Sequence, residues 1–314
     1  MNLLFLNVTP LPHSIDLHKN LQKKGHNVEF YYLTDAKTFY PWKNLDYGLK
    51  FKIIRQSIKG FLDLKNTANK SDVVVITGWH SVMHVVIAIY CFIKRIQFSF
   101  WLDVPQSPKL GVKYFFKRIL LKLADGYFIT GEAGFDFFEK QYGLKSSKFY
   151  NFPYMENKPV EEISDEILNE MVSNIKSRNK IRLLISSRFL PRKGYDTVFE
   201  TFKILSPTIA NKYRVDIYLH ASNQEPYGIP PMDAMARGKV VIGSTGVYSC
   251  LDRIIHKENG LLFKAGKSNE IEKCLKWIVE NPEFIYKLCH NALIASEKYN
   301  LSYHEKVLES FVDT

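Results

Sequence analysis

Four times within residues 1–143 a short apolar run is followed by a stretch with helical spacing. LLFLNV (3–8) leads into IDLHKNLQKKG, which ends at Gly25. VVVIT (73–77) leads into an apolar helix around 81–95, FSFWLD (98–103) into KYFFKRILLKLADG, and GYFIT (126–130) into GFDFFEKQYG (134–143). A further run, VEFYYL (28–33), follows the first helix. Strands that alternate with helices imply a parallel sheet covered by helices on both faces. Ligands of such sheets bind beyond the carboxyl ends of the strands. Those ends are Thr9 to Pro12, Thr77 to His80, Asp103 to Pro105 and Thr130 to Glu132.

The pattern breaks after Met155. Residues 156–180, ENKPVEEISDEILNEMVSNIKSRNK, are polar and acidic and read as an interdomain connection with one surface helix. A second α/β unit begins with IRLLISS (181–187) and its helix YDTVFETFKIL. It continues through the strand candidates VDIYLHAS (215–222), VVIGS (240–244) and GLLF (260–263), and the last fifty residues are helical in pattern. The expected domains are therefore 1–155, a connection over 156–180, and 181–314. A chain of 314 residues, 46% of them apolar, can bury a core in each.

Several classes are disfavoured. MNLLFLNV has no early basic residue and too short an apolar run for a signal peptide, so it reads as a buried first strand. Val73 to Ile93 is long enough to span a bilayer, but Thr77, Gly78, Trp79, His80 and His84 interrupt it, and a strand followed by an apolar helix explains it better. Cys91, Cys250, Cys274 and Cys289 are scattered, with no zinc or disulfide spacing, which makes a reducing cytosol the expected compartment.

The net charge of +11 is uneven: residues 1–150 hold 21 Lys and Arg against 11 Asp and Glu, whereas residues 151–314 hold 22 against 21. Part of the excess lies over residues 113–122, where Lys113, Lys117, Arg118 and Lys122 interleave with apolar residues at helical spacing. Such a helix could lie on an anionic membrane or bind an acidic partner. An ordinary solvated basic face has the same spacing. No stacking platform or nucleic-acid module accompanies the charge, so no nucleic-acid partner is expected.

Two loops at strand ends carry the candidate chemistry. Ser187 to Gly194, SRFLPRKG, lies between a strand and a helix, and Arg188 and Lys193 there can hold a diphosphate, one by a fork and one as a point charge. In HASNQEPYGIPPMDAMARG (220–238), Glu225 and Asp233 stand eight positions apart across a loop, with Pro231 suited to the first turn of a helix that Gly238 ends. Backbone N–H groups around Tyr227, Gly228 and Ile229 face the same space. Such an edge offers N–H groups to phosphate and carboxylates to sugar hydroxyls; equally, Glu225 can be a plain loop carboxylate and Asp233 a residue favoured by the helix dipole.

The stretch ISSRFLPRKGYDTVFETFKIL, then ASNQEPYGIPPMDAMARGKVVIGSTG, then ENGLLF, resembles the second domain of group 1 glycosyltransferases. These are retaining enzymes of the GT-B fold, with two Rossmann-like domains whose parallel sheets face a central cleft. Their signature is a Glu, seven residues and a second acidic residue, which Glu225 and Asp233 match with Asp in place of the usual Glu. TPLPHSIDLHKNLQKKGHNVEFYYL and LADGYFITGEAGFDFFEKQYG look like the family's first domain.

The resemblance implies transfer of a sugar from a nucleoside-diphosphate-sugar to a saccharide or lipid-linked acceptor, in surface glycan assembly on the inner face of a membrane. Arg188 and Lys193 would hold the donor diphosphate, Glu225 the transferred sugar and Asp233 the ribose. Tyr227, Gly228 and Ile229 would lend N–H groups, and Asp103 would stand on the acceptor side. Because lysine, arginine and backbone amides would take the leaving-group role, no cofactor and no metal are expected, and consistently the chain has no Asp-x-Asp motif. From Gly194 to Glu225 is 31 positions, shorter than the family pattern, which implies a shortened second domain with a smaller sheet. That shortening favours the alternative of a non-catalytic nucleotide-sugar-binding or membrane-associated partner protein. A nicotinamide-dependent dehydrogenase is disfavoured because no GxGxxG follows the first strand.

Overall fold

A computed structural model of the protein describes residues 1–34, 51–79, 81–104, 111–155, 164–166, 169–170, 173, 177, 183–187, 190–204 and 217–314. The chain divides into two compact units: Met1–Met155 with Tyr299–Thr314, and Glu156–Lys298.

Among the described residues the first unit is built on a parallel sheet of seven strands: β1 (Asn2–Asn7), β2 (Asn27–Tyr32), β3 (Lys52–Ile53), β4 (Val73–Thr77), β5 (Phe98–Leu102), β6 (Gly126–Ile129) and β7 (Phe149–Asn151). Their spatial order, β3-β2-β1-β4-β5-β6-β7, reverses direction between β1 and β4, as in doubly wound folds. Residues Leu3 to Leu6 pair with Val73 to Ile76 in register, and all of these side chains are buried. Continuous apolar strands follow from having both faces covered. The helices are α1 (Pro12–Lys23), α2 (Ile58–Ala68), α3 (Val82–Lys94), α4 (Val112–Leu121) and α5 (Phe135–Tyr142). The Val73 to Ile93 stretch is thus β4 followed by α3, whose 13 residues fall short of a bilayer. Among the described residues no helix is long and apolar enough to cross a membrane.

Among the described residues of the second unit β8 (Leu183–Leu184), β9 (Ile217–His220), β10 (Val240–Ser244) and β11 (Leu261–Phe263) form a four-stranded parallel sheet, order β11-β10-β9-β8. Around it lie α6 (Tyr195–Ile204), α7 (Ile229–Met235), α8 (Tyr248–Arg253), α9 (Ser268–Glu280) and α10 (Ile285–Glu297). Ile217, Leu219, Val240, Ile242, Leu261 and Leu288 are central to its core.

The final helix, α11 (Leu301–Val312), corrects the expected boundary at 314: residues 299–314 belong to the first unit. The cause is hydrophobic. Phe311 lies edge-on to Phe128, at 5.2 Å between ring centroids, and His304 Nε2 lies 2.7 Å from the Pro153 carbonyl. Leu308 and Phe311 are fully buried in the core of the seven-stranded sheet.

Candidate functional site

The carboxyl end of β9 concentrates buried polar groups. Residues two apart on a strand share a face, and Tyr218 and His220 do so: Tyr218 Oη lies 3.2 Å from His220 Nδ1 and donates to the Ser186 carbonyl at 3.3 Å. His220 Nε2 is 2.8 Å from Glu225 Oε1. Ser222 Oγ donates to the same oxygen, and Lys193 Nζ forms an ion pair with it. The side chains of Lys193 and Glu225 are only 11% and 8% exposed, so the pair is shielded from water.

All three donors converge on Oε1. Among the described residues none reaches Oε2, which lies beside Gly228, just ahead of α7. Burial alone would raise the Glu225 carboxyl; the hydrogen bond and charge of His220, with Lys193 and Ser222, outweigh it and hold the group down to about 2. The result is an ionised, buried carboxylate with one oxygen anchored and the other open to a hydroxyl donor.

Two glycines bring the pieces together. Gly194, at φ 72°, follows the short 3₁₀ turn Pro191–Lys193, and a Cβ there would stand 1.9 Å from the Ala221 carbonyl oxygen. The close approach lets Asn223 N–H donate to the Arg192 carbonyl at 2.8 Å and sets Lys193 over Glu225. At Gly246 a Cβ would stand 2.1 Å from the Asn223 carbonyl oxygen, and Glu225 N–H donates to the Gly246 carbonyl at 2.9 Å. The loop that carries Glu225 is therefore held by backbone hydrogen bonds on both sides, while its carboxylate is held by side chains.

Of the remaining sequence candidates in this unit, Asp233 stands half-buried in α7, and Tyr227 is buried with its carbonyl accepting from Ser249 N–H at 2.9 Å. Gly228 takes φ 93° directly before α7, and Ile229 opens that helix, whose first N–H groups have no partner within it. Arg188 lies outside the described residues. His220 and Ser222 are not marked by the sequence pattern. Their only signal is a His and a Ser at the end of a buried strand within five positions of a Glu, which spacing alone does not distinguish from a satisfied core.

In the first unit Asp103 is exposed just beyond β5, and Tyr154 Oη donates to its two carboxylate oxygens at 3.1 and 2.9 Å. The Tyr154 ring packs on His13, with centroids 4.1 Å apart. His13 Nε2 is buried without a partner, and burial pushes this imidazole down to about 4, so it is neutral. At the neighbouring strand end Thr77 Oγ1 bonds Asn7 Oδ1, while Asn7 Nδ2 is buried without a partner. His80 lies outside the described residues.

Residues 209–293 match the family model described as glycosyl transferases group 1. No curated protein matches the chain by sequence. Among solved structures, HepE of Anabaena in complex with UDP superposes with a TM-score of 0.77 at 16% identity, 100% of either chain being covered. HepE has also been solved with UDP-glucose. A glycosyltransferase of Rickettsia africae gives 0.74 at 14% identity over 99% of this chain and 98% of the other. Sucrose-phosphate synthase of Thermosynechococcus elongatus gives 0.70 at 12% identity over 100% and 99%. The fold is thus GT-B, built from two Rossmann-like units, and the segment that matches the group 1 glycosyltransferase model contains Glu225 and Asp233.

Proposed function

We propose that this chain is a group 1 glycosyltransferase, moving a sugar, with retention of configuration, from a nucleoside-diphosphate-sugar to a saccharide or lipid-linked acceptor. The observation that carries the reading is the buried Glu225 carboxylate, anchored through Oε1 and open at Oε2 beside the start of α7. A fixed anionic acceptor suits a sugar hydroxyl and holds the reacting carbon in place. Lys193, with Arg188, would take the diphosphate and stabilise its charge as it leaves. Asp233 would bind the ribose hydroxyls, and the N–H groups of Tyr227, Gly228 and Ile229 the remaining phosphate oxygens. Asp103, oriented by Tyr154, would receive the acceptor.

That HepE holds UDP and UDP-glucose supports a nucleotide-sugar donor. Positive charge from lysine and arginine replaces a metal ion in this scheme, so EDTA should leave turnover unchanged. Assembly of a surface glycan in the cytoplasm, at the membrane's inner face, is the setting that fits the basic stretch 113–122.

A thermal-shift screen of nucleotide-sugars identifies the donor, because a ligand of the folded state raises the melting temperature. Donor hydrolysis and transfer are then compared for the unaltered chain and Glu225→Ala. Turnover that disappears in the variant supports the proposal. Binding without turnover in the unaltered chain would leave a non-catalytic nucleotide-sugar-binding protein.

A further inference from the structure

A groove of about 550 Å³ runs along the outer side of β11, and none of its residues belongs to the Glu225 cluster. Among the described residues β11 ends its sheet, so its outward backbone groups have no strand to pair with. Side chains serve them instead. Leu262 N–H donates to His256 Nδ1 at 3.0 Å, Lys264 N–H donates to Glu270 Oε2 at 2.6 Å, and the Cys274 thiol donates to the Leu262 carbonyl at 3.8 Å. An edge capped in this way is not built to receive an added strand. The far wall is one face of α9, where Glu270, Lys273, Cys274, Trp277 and Glu280 recur at i, i+3, i+4, i+7 and i+10. Trp277 is half-buried; its ring lies 5.7 Å from that of Phe284, and Lys257 Nζ stands 5.3 Å from the indole centroid. Lys257 reaches this place from a left-handed backbone, φ 67°, which a side-chain-bearing residue seldom adopts.

The mixture of charges limits the occupant. Lys257, Lys273 and Lys276 line the groove together with Glu270 and Glu280. His256 accepts through Nδ1, so Nε2 carries its proton, and burial beside Lys257 lowers its pKa and keeps it neutral at pH 7. A phosphate or an acidic peptide would meet the two carboxylates, and a cation the three ammonium groups. An apolar ligand would desolvate all five charges without pairing them. A neutral polyhydroxylated chain uses both signs: its hydroxyls donate to the glutamates and accept from the lysines, while the C–H face of a sugar ring packs on the indole. The volume lies within the usual range of ligand sites.

We infer that this groove is a second saccharide site, which holds a neutral oligosaccharide against Trp277, apart from the place where Glu225 would hold the transferred sugar. It rests on the functional reading above only for its purpose: a glycan held here stays attached to the protein between transfers.

The test uses the full-length protein labelled with ¹⁵N, because Trp277 is the only tryptophan after residue 155 and its indole N–H reports on the groove directly. Maltotetraose, cellotetraose and chitotetraose are titrated in turn. At least one should move the Trp277 signal and saturate with a Kd of about 0.1–5 mM. Trp277→Leu should weaken binding of that sugar, read by calorimetry, tenfold or more. Because Trp277 packs against the core, Lys273→Ala and Glu280→Ala provide the second arm: both residues are exposed, and each should weaken binding about fivefold at unchanged melting temperature. No response to any of the three sugars, or exposed-residue variants that bind like the unaltered chain, would overturn the inference. Inorganic pyrophosphate moving the signal in place of the sugars would assign the groove to an anion and overturn it too. Glu225→Ala should leave the Trp277 titration unchanged, and donor-induced thermal shift in the groove variants reads the functional proposal separately.

Discussion

Nε2 of His220 lies 2.8 Å from Oε1 of Glu225, and both side chains are almost completely buried. The carboxylate can only accept, so Nε2 carries the proton, and the imidazole acts as a fixed donor that positions the carboxylate. Replacing His220 with Phe removes that donor and leaves Glu225 with Lys193 and Ser222. We expect a loss of about 2 kcal/mol in stability, read by urea unfolding, with a fall in kcat larger than any change in donor affinity.

The depressed Glu225 carboxyl makes stability depend on pH. Its folded value, about 2, lies below the ordinary 4.5, so its contribution is complete above pH 4.5 and is lost as pH falls towards 2. The contribution is at most about 3 kcal/mol. Urea midpoints measured from pH 6 to pH 2.5 should therefore fall more steeply for the unaltered chain than for Glu225→Gln. Parallel curves would show that the carboxylate does not draw on its partners in this way.

Gly194 combines a left-handed backbone with a carbonyl oxygen 1.9 Å from where a Cβ would stand. Gly194→Ala should destabilise by roughly 3 kcal/mol or more and displace Lys193 from Glu225. Gly25 has φ 87° but nothing within 4 Å of its Cβ position. Gly25→Ala should therefore cost only about 1 kcal/mol. Thermal unfolding of the two variants side by side separates crowding from backbone strain.

Tyr154→Phe removes the hydroxyl that donates to both carboxylate oxygens of Asp103. If Asp103 receives the acceptor, the variant should raise the acceptor KM about three- to tenfold, in line with the loss of one solvent-exposed hydrogen bond. Donor binding, measured by calorimetry, should not change. A reversed pattern would detach Asp103 from the acceptor.

Much of the sheet is legible in the sequence because buried parallel strands are continuous apolar runs, as in Val73–Thr77 and Val240–Ser244. The strands that leave no such mark, Lys52–Ile53 and Phe149–Asn151, end the sheet at its two sides and are too short to carry a pattern. Glu225 is legible through its loop and its family signature. Its clamp is not, because Lys193 is 32 positions away and reaches the carboxylate only through the contact of Gly194 with Ala221, a tertiary event. The exposure of Val82, Phe92 and Ile93 on α3 is hidden for a different reason: a helix apolar on most sides reads as buried from sequence alone.

Residues 299–314 return to the first unit after the whole second unit has intervened. Phe128 and Tyr150 gain their Phe311 neighbour only from that last segment. On a ribosome, then, the first half of the chain is made early but cannot close its core until residues 299–314 have been made, and a chain ending at residue 155 would leave that aromatic surface exposed to aggregation.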